Sequence, residues 1–202
     1  MTARRRIAEA AISFAALAVL ATQVREDGRL ARIDRVGFNS VCTKRCAAGI
    51  MVAKTVSGLA EPSVIYPLLS IAGIAAVPRT GWRRAGVPCL IVASGAMARR
   101  KASRLIARPR PPVDAWLAEP EGYSLPSKHT TVAALTAGAC VRALGVPASA
   151  AHTVPLIAAA GVGVSRVYLG VHWPADVVAG WLFADGWLRL ADSLTDSAPE
   201  GE

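Results

Sequence analysis

Residues 126–176 read PSKHTTVAALTAGACVRALGVPASAAHTVPLIAAAGVGVSRVYLGVHWPAD, two apolar runs enclosed between polar ends. The runs, 130–144 and 147–165, are dominated by Ala, Gly, Val and Leu. Read as an up-and-back pair of helices, they return the polar segments that bracket them, 126–129 and 165–176, to the same side. That pairing organises the rest of the chain. Outward from it lie four more apolar runs, at 7–24, 62–78, 85–98 and 177–190, the first preceded by Arg4-Arg5-Arg6. Several fall short of the roughly 20 residues of a full crossing. Flanking groups extend them, since Lys and Arg snorkel and aromatic rings settle at the interface. Trp82, Trp116, Trp173 and Trp187 all lie close to run ends.

The bulk composition agrees. Of 202 residues, 53% are hydrophobic, yet the formal net charge is +9. A soluble globular protein seldom combines the two; a membrane protein with basic loops, or one with an anionic partner, does. The expected fold is all-α, a single domain over residues 1–191 forming an integral membrane bundle of about six transmembrane helices. Residues 192–202 are expected to form an acidic, polar tail. The more polar stretch 32–45, with Val36, Phe38 and Val41 among its charges, reads as an amphipathic helix lying in the interface. Arg4-Arg5-Arg6 also suits the head of a cleaved signal peptide. Because the nearest small-x-small candidate, Ala16-Leu17-Ala18, lies inside the apolar run, a retained first span is favoured. Cys42, Cys46, Cys89 and Cys140 include no C-x-x-C pair, so they read as free thiols rather than a zinc or disulfide framework. Membrane lipids and an anionic ligand are the expected partners, not nucleic acid; the oligomeric state is not legible.

Two hydrophilic patches carry the chemistry. One holds Lys101, Arg104, Arg108-Pro109-Arg110 and Pro126-Ser127-Lys128-His129; the other holds Ser165-Arg166 and His172-Trp173-Pro174-Ala175-Asp176. Lys101 and Arg108 are seven apart and on a helix would share a face. With Arg166 they gather cations that an anion must neutralise, and Arg is suited to forked contact with phosphate oxygens. Residues 126–129 precede an apolar run, so they mark a helix start, whose free N–H groups favour phosphate. His172 and Asp176 are spaced i,i+4 and can meet on one helical face, with Pro174 in the first turn. An Asp accepting Nδ1–H fixes the tautomer and frees Nε2. With His129 opposite, two imidazoles flank one phosphate, enough for covalent and acid–base catalysis without a metal. Asp185, an acid inside the last run, is expected to bond a neighbouring helix.

These segments resemble, in order, the three motifs of the type 2 phosphatidic acid phosphatase superfamily, which includes bacterial acid phosphatases and vanadium haloperoxidases. K-x6-R-P matches Lys101 to Pro109, P-S-G-H matches Pro126 to His129, and S-R-x5-H-x3-D matches Ser165 to Asp176. The resemblance implies a membrane phosphatase with no cofactor. In it, His172 attacks phosphorus and forms a phosphohistidine, and Asp176 orients it. His129 protonates the leaving oxygen and then helps activate water. Lys101, Arg108, Ser127, Arg166 and the backbone N–H of Lys128 hold the phosphate. Lys128 replaces the family's Gly, which is compatible if that backbone does not need positive φ; its charge either favours a diphosphate head group or faces water. The implied substrate is a lipid phosphate, first a polyprenyl phosphate, diphosphate or polyprenyl-linked sugar phosphate of cell-envelope synthesis, second phosphatidic acid or phosphatidylglycerophosphate. The haloperoxidase relatives are soluble and larger, and this chain is too apolar to be one; a non-catalytic scaffold would not need all three motifs. A bacterial cell membrane is the expected location. Arg4-Arg5-Arg6 and the cluster Arg79, Arg83, Arg84 inside would put the site outside, although the basic stretch 25–45 then lies outside too.

Overall fold

Proline and small residues mark the helix starts and set how closely the helices pack. The computed structural model describes residues 2–25 and 28–196. They form eight α-helices: α1 (Ala3–Arg25), α2 (Arg29–Cys42), α3 (Ala47–Gly58), α4 (Pro62–Thr80), α5 (Val87–Ile106), α6 (Lys128–Ala143), α7 (Ala148–Tyr168) and α8 (Pro174–Asp196). Among the described residues there is no strand, so the all-α expectation holds. Pro62 and Pro174 each open their helix and Pro88 lies in the first turn of α5, where a missing N–H costs no intrahelical bond.

Helix α6 is the hub, packed by α4, α5, α7 and α8. Ten of its sixteen residues are buried, most of them Ala, Thr, Gly or Val. Side chains this small let neighbouring backbones come close, the packing mode of helices that gain little from hydrophobicity against lipid. At Gly163 a Cβ would stand 2.1 Å from Val177 Cγ1, so α7 and α8 could not approach as they do with any other residue there. Helix α1 packs along α8 and buries Ala10, Leu17, Ala21 and Val24.

The long helices α1 and α4–α8 run between two ends. At one end Asp192 is held by Arg142 at 2.7 and 2.9 Å and by Arg6 at 3.3 Å. Arg79, at the end of α4, donates there to the Ala143 carbonyl. At the other end Ser127 N–H donates to the Asp176 carbonyl across 3.1 Å, tying the starts of α6 and α8 together. The short helices α2 and α3 sit at this second end. Ile12, Val19, Ile71, Leu90, Ile157 and Val164 face outward as an apolar belt.

Among the described residues, three helices are long and apolar enough to cross a membrane: residues Ala3–Val24, Pro62–Thr80 and Ser149–Tyr168. The expected count was six, and the reason for the difference is physical. Helix α5 carries Arg99, Arg100, Lys101 and Arg104 in its second half, α6 is only 16 residues long, and α8 holds Asp185, Arg189 and Asp192. In the last helix the bundle pairs these charges internally: Ser13 Oγ donates to Asp185 at 2.6 Å, Arg189 Nε lies 2.7 Å from the same carboxylate, and Arg189 also pairs with Glu9. The bond of Asp185 to a neighbouring helix is the one its position implied.

Three boundaries differ from the sequence reading. The polar stretch forms a helix over Arg29–Cys42, earlier than 32–45. Helix α3, in a stretch with no expected element, is started by Cys46, whose sulfur accepts from Gly49 N–H. Helix α8 continues through Asp192 to Asp196, past the expected start of the tail, whose last residues, 197–202, lie outside the described ones. All four cysteines are free.

Candidate active site

The loop between α7 and α8 is fixed by one glycine. Gly170 has φ +78, and a Cβ there would meet the Ala115 carbonyl oxygen at 2.0 Å. Only glycine combines that left-handed backbone with so close a neighbour. The turn it makes delivers His172 into the bundle at 1% exposure.

His172 Nδ1 lies 3.3 Å from Asp176 Oδ2, at the i,i+4 spacing of the motif. Asp176 is fully buried and heavily bonded. Its Oδ2 accepts from Trp173 N–H at 2.8 Å, while Oδ1 accepts from Arg108 Nη1 at 2.6 Å and from Ser124 Oγ at 3.4 Å. A carboxylate so surrounded stays an acceptor, which assigns the His172 proton to Nδ1 and leaves Nε2 with a lone pair. Arg110 Nη1, which can only donate, is 3.2 Å from that Nε2. Burial lowers the His172 pKa to about 4, against the opposing effect of Asp176 and with the help of Arg110 and Arg166. The imidazole is therefore neutral at neutral pH, as a nucleophile must be.

Arg108 does not face an open site. Its two terminal nitrogens are each 2.6 Å from a carboxylate, Nη1 from Asp176 and Nη2 from Asp34. Asp34 comes from α2, and its other oxygen accepts from Ala175 N–H at 2.7 Å, capping the start of α8. The Arg108 guanidinium lies 5.6 Å from the centre of the Trp173 ring, which packs against Phe38 of α2 at 5.0 Å. The result is a buried chain, Asp34–Arg108–Asp176–His172. Burial raises the Asp34 pKa, while its bonds to Arg108 and Ala175 oppose that rise.

Lys101 is exposed and takes no part in these bonds. The expectation that it shares a helical face with Arg108 fails because α5 ends at Ile106, and Ala107 turns left-handed at φ 51. On α5 the buried positions are Arg99 and Ser103; two residues on from Arg99, Lys101 points about 200° away. The cation brought to Nε2 is Arg110, held by the carbonyls of Glu121, Gly122 and Tyr123 at 2.7, 2.8 and 3.1 Å. Burial lowers its pKa.

The other expected residues converge with qualifications of geometry. Ser127 caps α6, its Oγ accepting from Thr130 N–H and Oγ1–H at 3.4 and 3.0 Å. Lys128 has an ordinary helical backbone, so its replacement of glycine needs no positive φ, and its ammonium lies 3.4 Å from Glu121. His129 Nε2 is 3.2 Å from Glu61 at the start of α4. Arg166 is buried; Nη1 donates to Ser57 of α3 at 2.8 Å, and Nε has no protein partner. The sequence did not single out Asp34, Glu61 or Ser57. They belong to polar stretches distant in sequence, and nothing local marks them. Arg110 had a local signal, the second Arg-Pro of Arg108-Pro109-Arg110-Pro111.

Comparison with known proteins agrees with this geometry. Residues 85–194 match the PAP2 superfamily. A decaprenylphosphoryl-5-phosphoribose phosphatase from Mycolicibacterium smegmatis is 30% identical over 130 residues, covering 63% of this chain and 69% of that protein. An undecaprenyl-diphosphatase from Sulfolobus acidocaldarius is 37% identical over 81 residues, covering 40% of this chain and 38% of that protein. The fold matches a crystal structure of a transmembrane PAP2 type phosphatidylglycerolphosphate phosphatase from Bacillus subtilis with a TM-score of 0.81 at 23% identity, covering 96% of this chain and 99% of that one. The chain belongs to the PAP2 superfamily and is a phosphoric ester hydrolase.

Proposed function

We propose that this chain is a membrane phosphatase that hydrolyses a polyprenyl-linked phosphate through a phosphohistidine at His172. The observation that carries the reading is the buried His172–Asp176 pair with its free Nε2 facing the Arg110 guanidinium. Phosphate enters by taking over the Arg110 donors, which leaves Nε2 open to attack phosphorus. As the P–O bond to the leaving group breaks, His129 supplies the proton. Water then attacks the phosphohistidine, His129 accepts its proton, and inorganic phosphate departs. Arg110, Arg166 and the N–H groups at the start of α6 hold the oxygens on which charge gathers. Ser127 and Lys128 line that helix start. Arg108 acts from behind, holding Asp176 in place rather than touching phosphate, and Lys101 serves the interface.

The relatives support this substrate class, since two of them are named for decaprenyl- and undecaprenyl-linked phosphates. A glycerolipid phosphate is the second choice. The six end-to-end helices, α1 and α4–α8, cross the membrane of a bacterial cell, with α2 and α3 at the interface. Leu30, Ile33 and Val36 on the outer side of α2 are exposed and face lipid. The Arg4-Arg5-Arg6 start of α1 and the Arg79 end of α4 lie opposite the site, so keeping them in the cytoplasm turns the site outward.

The test is phosphate release by detergent-purified protein from polyprenyl monophosphate, polyprenyl diphosphate, phosphatidic acid and phosphatidylglycerophosphate, with His172→Ala as control. Turnover of the polyprenyl substrates by wild type alone supports the reading. Equal release by both proteins from every lipid would defeat it.

A further inference from the structure

The turn between α3 and α4 reaches the site at two points four residues apart. Ser57 Oγ accepts from Arg166 Nη1 at 2.8 Å, and Glu61 Oε1 lies 3.2 Å from His129 Nε2. The turn itself is tightly built. The N–H groups of Leu59, Ala60 and Glu61 donate in succession to the carbonyls of Val56, Ser57 and Gly58 at 3.2, 3.1 and 3.0 Å. Ala60 is buried in one cluster with Ala133 of α6 and Val162 of α7. The backbone at Glu61 is therefore fixed relative to the helix that carries His129.

An acid at a helix start ordinarily serves the helix, by capping its N–H groups or meeting its dipole. Glu61 directly precedes Pro62 at the start of α4, yet its side chain bonds none of those N–H groups. It turns instead to His129, whose side chain is 12% exposed against 51% for Glu61. The other charged and titratable groups facing this imidazole are Arg166 of α7, Lys128 of its own helix, and Arg110 and His172 from the two loops. Three of these are cations, which repel a proton on His129. Glu61 is the carboxylate that favours one. Because a carboxylate only accepts, Nε2 carries its hydrogen toward Glu61, and Nδ1 is left for the reaction.

Resting on the phosphatase reading above, we infer that Glu61 is the positioning residue for His129, fixing the ring through Nε2–H and favouring the imidazolium that donates to the leaving oxygen. The pair mirrors Asp176 and His172, so each imidazole has its own carboxylate. Glu61 itself neither gains nor loses a proton. The proton that His129 gives up as the P–O bond breaks is restored by the water that attacks the phosphohistidine.

The test uses Glu61→Gln, which keeps an acceptor for Nε2–H and removes the charge. Its kcat/KM in detergent is compared with that of wild type on polyprenyl monophosphate, whose alkoxide needs a proton as it leaves, and on nitrophenyl phosphate, whose leaving group needs none. This constant covers only the steps up to the phosphohistidine. The variant should lose about 10–30-fold on the polyprenyl substrate, part of the about 10²–10⁴-fold that acid–base catalysis supplies, and less than about threefold on nitrophenyl phosphate. The limb of the pH profile governed by His129 should move to lower pH, since its proton is held less tightly. Melting should stay within about 2 °C of wild type, because the side chain is half exposed and caps nothing. Equal loss on both substrates, no loss on either, or an unmoved limb would each overturn the role of Glu61 while leaving the phosphatase intact. Absence of phosphate release from either substrate by wild type would instead sink the phosphatase reading, and the role of Glu61 with it.

Discussion

Asp34 offers the sharpest test of how the centre is held, because it lies far from the motifs in sequence and touches neither imidazole. In Asp34→Asn the side chain keeps its shape but has one acceptor oxygen for two donors, Ala175 N–H and Arg108 Nη2, which the carboxylate now meets at 2.7 and 2.6 Å. Its new NH2 group must face one of them, donor against donor. Arg108 is buried and loses one of two anionic partners, and breaking a buried ion pair costs about 3–5 kcal/mol. Taking the lower figure, since Asp176 still balances the guanidinium, the melting temperature should fall by about 6–12 °C for a chain of this size. The freed Arg108 draws Asp176 from its place behind His172, so kcat should fall about 10–100-fold, a loss of about 1.4–2.7 kcal/mol from transition-state stabilisation, with little change in KM. Melting in detergent and steady-state kinetics on a polyprenyl phosphate measure both. A variant that melts within a degree or so of wild type and turns over at the same rate would refute the buried chain as a support.

Other outcomes follow from the same geometry. Arg110→Ala should lower kcat/KM by about 10²–10³-fold, the scale of a lost donor to developing charge, whereas Lys101→Ala should change it less than about threefold; the reverse order, read from steady-state kinetics, would restore Lys101 to the phosphate. His172 is held to about 4 by burial, below its unfolded value near 6.5, so between those pH values the unfolded chain binds the extra proton. Native stability should therefore fall as pH drops through that window and the acid limb of kcat/KM should lie near 4, as pH-dependent melting and rate profiles would show; a limb near 6.5 contradicts the burial. Gly170→Ala forces a Cβ into the Ala115 carbonyl at a positive φ, and should cost about 2–4 kcal/mol, seen as a lower melting temperature.

What the sequence made legible was whatever depends on short-range spacing. The i,i+4 relation of His172 and Asp176 survives folding because a helical turn fixes it, and the helix start at Lys128 follows from Ser127 at its cap. The paired runs 130–144 and 147–165 did bring both patches to one end. The seven-residue relation of Lys101 to Arg108 did not survive, since it assumed a helix that stops at Ile106. Asp34, Ser57 and Glu61 reach the site across 74, 109 and 68 positions, to Arg108, Arg166 and His129. Such pairs are set by tertiary packing of α2, α3 and α4, and no periodicity in one chain reveals them. Six crossings were expected where three helices among the described residues have the length and hydropathy of a span, because α5, α6 and α8 bury polar groups among themselves, which hydropathy alone scores against a membrane segment.

The central claim is that His172 carries the phosphoryl group. Rapid quenching of wild type with a lipid substrate labelled on phosphorus should trap an acid-labile, base-stable phosphoprotein, with the label on the peptide containing His172. His172→Ala should trap none. Label on any other residue, or equal trapping by His172→Ala, would contradict the account.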